Sequence, residues 1–184
     1  MKLEWDTWCQ FNATSTLSQT DLDKIMAATP RPRIIDTRWV LGWRGDRIKA
    51  RLVVIGCQES QLAMRTDAPT ASHHRFMIVV CFASQPGWTI ESYDATTAYL
   101  QSEGIARLLL LRLPRQNSPP GTQPCQVVRA NGSIYGTRDA GRAFYHHLKK
   151  VFKFDQPFQA MGLGLCRSYL FTFYVKNKIK VLNA

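Results

Sequence analysis

The chain has 184 residues, of which 45% are apolar and 20% are charged, a balance typical of one folded domain and not of a disordered chain. Its longest apolar run covers only residues 76–83, far too short to span a bilayer as a helix. The informative quantity is the charge, because 24 Lys and Arg against 13 Asp and Glu give a net charge of +11. Such an excess indicates a polyanionic partner, most often nucleic acid, although a basic surface that only serves solubility is the alternative.

No targeting segment is visible at the N-terminus, which has no apolar stretch and is not rich in Arg. The five cysteines are odd in number, and no two of them have the spacing of metal ligands. They therefore predict reduced thiols and argue against a disulfide framework or a zinc site. Together these features predict an intracellular protein, in the cytoplasm or the nucleus, with no membrane partner.

The first part of the chain is predicted to hold one helix and one β-hairpin. Residues 1–16 have no clear period and are interpreted as an N-terminal extension, whose aromatic residues could contact a partner protein. The stretch 18–21 is typical of a helix start, and nearby prolines end that helix. Residues 33–56 are rich in β-branched and aromatic side chains on both sides of the turn signal Gly45-Asp46, which predicts a hairpin. The aromatic residues of the extension are Trp5, Trp8 and Phe11.

The rest of the chain alternates helices and strands without a strict βαβ repeat, which predicts an α+β fold. We expect the hairpin to pack beside one antiparallel sheet, with two helices over one face of that sheet. The sheet should carry strand 88–93, which delivers Asp94 at its C-terminal end, and strand 108–113. The predicted elements are helix 72–84, strand 88–93, short helix 95–101, strands 108–113 and 126–129, helix 137–152, and strands 169–175 and 179–182.

Asp94 is the first candidate for chemistry, because the end of a strand is a natural place for a metal-binding carboxylate. Tyr99 follows five residues later on the element that leaves the strand. From the local sequence alone, Asp94 is better explained as the N-cap of the next helix. The chain has no phosphate-binding loop, and its two pairs of adjacent histidines cannot easily share one metal ion.

Lys49 and Arg51 form a second candidate site. Residues two apart on a strand lie on the same face, about 7 Å from each other. Two cations so placed could bind a triphosphate or a nucleic-acid backbone. A solvated strand face is the alternative, and it is the commoner explanation for any single pair.

Six short stretches stand in order along the chain: WVL at 39–41, KARLV at 49–53, TDAPTAS at 66–72, DATTAYLQ at 94–101, SIYGTRDAGRAFY at 133–145 and YLF at 169–171. They resemble the motifs of copia-type retrotransposon reverse transcriptases, whose SLYGLKQAPRAWY stretch is similar to residues 133–145. The similarity extends over about residues 31–175.

The resemblance implies roles for these candidates. Asp94 would be the first of the palm carboxylates that hold two Mg²⁺ ions for phosphoryl transfer, and Tyr99 would pack under the incoming sugar and exclude a 2′-OH. Lys49 and Arg51 would contact the triphosphate of the dNTP. The expected partners are therefore an RNA or DNA template–primer and a dNTP. The residues expected to contact nucleic acid are Arg38, Arg75, Arg138 and Arg142.

The chain also departs from the family pattern. It contains no Asp-Asp pair, which the family carries after the last predicted strand, and it has no thumb, RNase H or integrase segment. Two-metal catalysis needs carboxylates that hold both ions about 3.5–4 Å apart, and Asp94 alone does not meet that need. Among the differences from the usual family residues are Cys57 for Phe, Asp139 for Gln, Gly141 for Pro and Phe144 for Trp.

The sequence thus predicts a partial fingers-palm fold in residues 31–184, preceded by an extension and helix in residues 1–30. The expected function is that of an RNA-directed DNA polymerase fragment, truncated before the Asp-Asp motif and inactive alone. Two alternatives remain open. One is a non-catalytic, basic nucleic-acid-binding domain, and the other is a host structural or assembly protein derived from a transposon.

Overall fold

The structure is a computed structural model that describes residues 1–59, 65–68, 72–84, 86, 89–102, 104–151, 172–175 and 178–183. Twelve helices and strands lie in these ranges, and two short 3₁₀ turns, Gly56–Gln58 and Ala98–Gln101, accompany them. The elements are α1 (Lys2–Gln10), β1 (Thr14–Thr16), α2 (Gln19–Met26), β2 (Ile34–Arg44), β3 (Arg47–Val54), α3 (His73–Ala83), β4 (Thr89–Asp94), β5 (Leu110–Arg112), β6 (Val127–Ala130), α4 (Ala140–Val151), β7 (Thr172–Val175) and β8 (Lys178–Asn183).

The strands form two sheets. Five strands make a mixed sheet in the order β1-β6-β5-β2-β3, in which only β2 and β5 pair in parallel. The other three form a separate sheet in the order β4-β8-β7. The predicted α+β class is confirmed. The prediction of one antiparallel sheet for 88–93 and 108–113 is wrong, because β4 and β5 lie in different sheets and β4 pairs in parallel with β8.

The predicted β-hairpin is confirmed as β2 and β3, which pair antiparallel from Thr37 opposite Val54 to Arg44 opposite Arg47. Gly45 has a φ of +59° at the turn, a conformation that glycine adopts without steric cost. The base of the hairpin is buried in the main core, where Leu52 is fully inaccessible to solvent. The tip of the hairpin is exposed, and in β3 only residues near the base, Leu52 and Val54, are buried.

The N-terminal residues belong to the core, contrary to the sequence interpretation. Trp8 is 0% exposed and Trp5 packs against it, with ring centroids 5.9 Å apart. The carboxylate of Glu4 accepts a hydrogen bond from the Leu52 N–H at 3.3 Å, which joins α1 to the edge strand β3. The idea that Trp5 and Trp8 contact a partner protein is therefore wrong. Helix α1 has only nine residues and two buried tryptophans, so its sequence is too short to show a helical period clearly.

The helices follow local capping rules. The predicted start of α2 is confirmed, since Ser18 Oγ accepts from the Asp21 N–H at 3.1 Å. Helix α4 begins at Ala140, later than the predicted 137, because Thr137 closes a turn by donating its hydroxyl to the Ile134 carbonyl at 2.9 Å. Asp139 therefore precedes the helix and does not lie inside it. No helix among the described residues is long and apolar enough to cross a membrane.

Candidate functional site

A line of three side chains connects the hairpin to the residues after β4. The guanidinium carbon of Arg51 lies 5.6 Å from the centroid of the Tyr135 ring. The Tyr135 ring meets the Tyr99 ring edge to face, with centroids 4.9 Å apart. Each such contact contributes on the order of 1 kcal/mol. The structure therefore brings two of the predicted nucleotide-binding residues, Arg51 and Tyr99, against one residue to which the sequence analysis assigned no role.

Tyr135 is held by a close backbone contact. Its carbonyl accepts a hydrogen bond from the Val54 N–H at 2.8 Å, so the loop before α4 is bonded to the edge of β3. Gly136 has a φ of +93°, and a Cβ atom there would lie 2.1 Å from the Val54 carbonyl oxygen. Gly56 packs closely on Gly136, because a Cβ atom on Gly56 would lie 2.1 Å from the Gly136 carbonyl oxygen. Both positions require glycine, which explains the Gly in the SIYG stretch physically.

Tyr99 sits in the 3₁₀ turn Ala98–Gln101. The chain enters this turn through Thr97, whose φ of +56° is left-handed. The Tyr99 ring packs edge to face on Phe144 of α4, with centroids 6.1 Å apart, and is partly buried. Two aromatic neighbours therefore fix the ring from two sides, and the phenol end of such a side chain can contact a sugar or base.

One face of the hairpin is cationic. In the observed register Arg44 pairs with Arg47, Gly42 with Lys49, and Val40 with Arg51, and directly paired residues share a face. Arg38 lies on the same face, because it is two residues from Val40. At about 3.4 Å per residue, this row of cations extends over roughly 20 Å. We call Arg38, Arg44, Arg47, Lys49 and Arg51 the cationic face; all five are exposed, and none forms an ion pair with a carboxylate of the described residues.

The carboxylate of Glu4 interacts electrostatically with two residues of the cationic face, Lys49 and Arg51. Burial raises the pKa of Glu4, while the Leu52 N–H and then the charges of Lys49 and Arg51 act in the opposite direction. Burial outweighs the effects of the N–H and the two cations, so the pKa of Glu4 stays above its ordinary value. The sequence analysis missed Glu4, since nothing in a short N-terminal stretch indicates that it docks on β3.

A second polar cluster lies beside α4. Arg107 donates to Asp139 through both terminal nitrogens and to Glu59 at 3.1 Å. Glu59 also accepts the Arg138 N–H at 3.1 Å, and its side chain is only 3% exposed. Burial works against the charge of Arg107, yet Asp139 and then Glu59 raise its pKa above the ordinary value. This network joins three segments, and Asp139, which replaces the family's Gln, serves as a partner of Arg107.

An open cavity of about 340 Å³ adjoins this cluster. Arg142 lines it and pairs with Asp67 at 3.0 Å, so this predicted nucleic-acid-binding residue is already partly neutralised. Burial, and then the charges of Arg142 and Lys149, lower the pKa of His146 at the cavity wall. Arg138 is half-buried nearby and the side chain of Arg75 lies outside the described structure. The predicted nucleic-acid contacts of Arg138, Arg142 and Arg75 therefore stay predictions.

Asp94 ends β4, in register with Asn183 of β8. Because the two strands are parallel, their C-terminal ends lie at the same edge of the three-stranded sheet. The side chain of Asp94 is outside the described structure, so its predicted role as metal ligand or helix cap stays a prediction. The described residues contain no group of three or more His, Cys, Asp or Glu that could hold a metal ion. Asp139, another aspartate of the chain, is bound to Arg107.

The comparisons with known proteins identify the family. A family model described as reverse transcriptase (RNA-dependent DNA polymerase) matches residues 24–177, most of the chain. The chain therefore belongs to the reverse transcriptase family, in its copia-type branch. No curated protein and no solved structure is significantly similar to it. Reverse transcriptases in general bind a nucleic-acid template and dNTPs and use divalent metal ions.

Proposed function

We propose that this chain is a nucleic-acid-binding and nucleotide-binding portion of an RNA-directed DNA polymerase from a copia-type retrotransposon. The observation that carries the proposal is the contact of both Arg51 and Tyr99 with Tyr135. Two residues that are 48 positions apart in sequence, and that the resemblance assigns to opposite ends of one nucleotide, are linked through a single ring. A guanidinium and a phenol that share one neighbouring ring suit a ligand with a charged end and a planar or sugar end.

In this proposal Arg51 and Tyr99 contact different parts of the dNTP. Arg51 and Lys49 hold the phosphates of the dNTP, since guanidinium and ammonium groups make strong charge-assisted hydrogen bonds to phosphate oxygens. Tyr99, fixed by Tyr135 and Phe144, forms the surface under the sugar. A ring that two neighbours hold in place excludes a 2′-OH better than a mobile one, because it cannot move aside at low cost.

The remaining residues of the cationic face, Arg38, Arg44 and Arg47, supply the contact with template or primer. These three exposed cations lie along one face over roughly 20 Å, and their charge attracts any single strand or hybrid without regard to sequence. We expect a Kd on the order of 10⁻⁴ to 10⁻⁶ M at physiological salt, the range of non-specific electrostatic binding. Such affinity falls steeply as salt rises.

We further propose that the 184-residue chain extends no primer by itself. The chain has no Asp-Asp pair, and among the residues after Asp94 only Asp139 and Asp155 carry carboxylates of that type. Asp139 is held by Arg107, and Asp155 lies outside the described residues. Mg²⁺ would supply charge neutralisation in phosphoryl transfer, and a sequence with Asp94 but no Asp-Asp pair lacks the usual carboxylates for bridging two ions.

The non-catalytic nucleic-acid-binding domain is the second candidate, and the unpaired cations of the hairpin favour it equally. The two candidates differ in one respect, because only a polymerase portion should bind a dNTP through Arg51. The transposon-derived structural or assembly protein has lost its main argument, since Trp5 and Trp8 are buried.

Titration of a fluorescent RNA–DNA template–primer with the chain, with and without a dNTP complementary to the next template base, separates these candidates. We expect the dNTP to tighten binding in the wild type and to have no effect in Arg51→Gln. Arg129→Gln is the matched control, because Arg129 is also an exposed strand arginine without an ion pair in the described structure. A dNTP effect that persists in Arg51→Gln would refute the assignment, and equal binding with and without dNTP in the wild type would favour the non-catalytic domain.

A further inference from the structure

The tip of the hairpin exposes an apolar pocket. Leu41, Gly42, Trp43 and Ile48 line it, and its volume is about 220 Å³. We call these four residues the hairpin-tip pocket. Trp43 is 78% exposed and Ile48, directly opposite it on β3, is 58% exposed. The pocket lies on the hairpin face opposite the cationic face, because Trp43 and Ile48 alternate with Arg44 and Arg47 along the two strands.

Trp43 differs from the other tryptophans of the described structure. Trp5 and Trp8 are buried, and Trp39 donates its indole N–H to the Asn117 carbonyl at 2.9 Å. Trp43 packs in no described aromatic pair or core cluster. An exposed indole at the tip of the hairpin adds little to the core, so its contribution to folding is small.

We propose that the hairpin-tip pocket binds an unpaired nucleobase of a single strand, whose phosphates lie on the cationic face; this rests on the nucleic-acid binding proposed above. The charged residues around the pocket favour a nucleotide over an apolar protein segment. At the tip Arg44 and Arg47 adjoin the pocket residues, and Asp46 is the only acid in the stretch 41–51. An apolar protein segment would gain nothing from these cations, whereas a nucleotide pairs a flat apolar ring with an adjacent anion.

The geometry of the tip permits both contacts at once. The cationic and apolar faces meet where β2 turns into β3, and β3 is the edge strand of the sheet. A strand that passes around the tip can lay a base on Trp43 and its flanking phosphates against Arg44 and Arg47. Base–aromatic stacking of this kind tolerates any base, since every base has a π face.

The test compares two oligomers of equal length and charge, oligothymidylate and a fully abasic deoxyribose-phosphate chain. The proteins are wild type, Trp43→Ala, Trp43→Phe and the control Leu3→Ala. Leu3 is 83% exposed on α1, so its removal reports the loss of an exposed apolar side chain away from the tip. We expect Trp43→Ala to weaken oligothymidylate binding roughly 5- to 150-fold, as for removal of one stacking residue, and to leave abasic binding unchanged. Trp43→Phe should retain most of the wild-type affinity.

Two results would overturn the inference while the proposed function stands. One is equal binding of oligothymidylate by wild type and Trp43→Ala, and the other is loss of the same factor by Trp43→Ala on both oligomers. Failure of the wild type to bind either oligomer would overturn the proposed nucleic-acid binding, and the hairpin-tip pocket with it.

Discussion

The contact between Gly56, Gly136 and Val54 predicts a graded loss of stability in four Gly→Ala variants. Gly42 has open space around its Cβ position and no positive φ, and Gly121 has a φ of +76° with open space. Gly56 has the steric contact without the positive φ, and Gly136 has both. The four variants therefore separate the cost of backbone strain from the cost of collision.

The magnitudes follow from the geometry. Gly42→Ala should be neutral or stabilise by about 0.5 kcal/mol, since glycine weakens a strand. Gly121→Ala should cost about 1 kcal/mol for a left-handed backbone. At Gly56 and Gly136 a new Cβ would lie 2.1 Å from a carbonyl oxygen, against an ordinary contact of about 3.5–4 Å. The segments must then separate by more than 1 Å, which breaks the Val54–Tyr135 hydrogen bond. We expect losses of about 2–3 kcal/mol for Gly56→Ala and about 4 kcal/mol for Gly136→Ala.

Urea unfolding followed by tryptophan fluorescence measures these free energies, provided that the slope m is unchanged among the variants. We expect stability to fall in the order Gly42→Ala, Gly121→Ala, Gly56→Ala, Gly136→Ala. A Gly136→Ala protein as stable as Gly121→Ala would show that the loop before α4 does not press on β3. Tyr135 would then have no fixed position under Arg51.

Three further predictions concern ionisable groups. Arg107→Ala should lower the free energy of unfolding by about 3 kcal/mol, because it leaves the buried carboxylate of Glu59 without its charged partner, and Arg107→Lys should lose less; urea unfolding measures both. The raised pKa of Glu4 means that the folded state holds the Glu4 proton more tightly than the unfolded state does. The stability from this group is therefore present below about pH 4.5 and is lost as pH rises through the folded pKa. Glu4→Gln should remove that decline in the free energy of unfolding, and a Glu4→Gln pH profile identical to that of the wild type would contradict the prediction. NMR titration should give His146 a pKa below its ordinary value, and Arg142→Gln should move it upward, since a repelling charge is removed; no upward movement would count against the arrangement at the cavity.

The sequence predicted the local elements well where a strong local signal existed. The helix start at 18–21 and the hairpin turn at Gly45 each depend on a few adjacent residues, and both are confirmed. The assignment of β4 and β5 to different sheets depends on long-range pairing, which no local pattern encodes. The burial of Trp8 likewise depends on where α1 docks.

In the candidate site, too, some residues were predicted from the sequence and others were found only in the structure. The resemblance led to Arg51 and Tyr99, and the structure adds the ring of Tyr135 between them. Tyr135 stood inside the quoted SIYG stretch, so that motif was the available signal, although its role required the backbone contact with Val54. The network of Arg107 with Glu59 and Asp139 joins residues 32 and 48 positions apart, and no spacing rule anticipates it.

The salt dependence of single-strand binding tests the central claim, that the cationic face binds nucleic-acid phosphates. Each phosphate neutralised on a single strand contributes about −0.7 to the slope of log K against log salt. Replacement of Arg44 and Arg47 by Gln should therefore make the slope shallower by about 1.4. Replacement of Arg115 and Arg129 by Gln, which removes the same charge from exposed arginines elsewhere, should leave the slope nearly unchanged. Equal changes in the two double variants would contradict the account, because binding would then depend on net charge and not on the face of the hairpin.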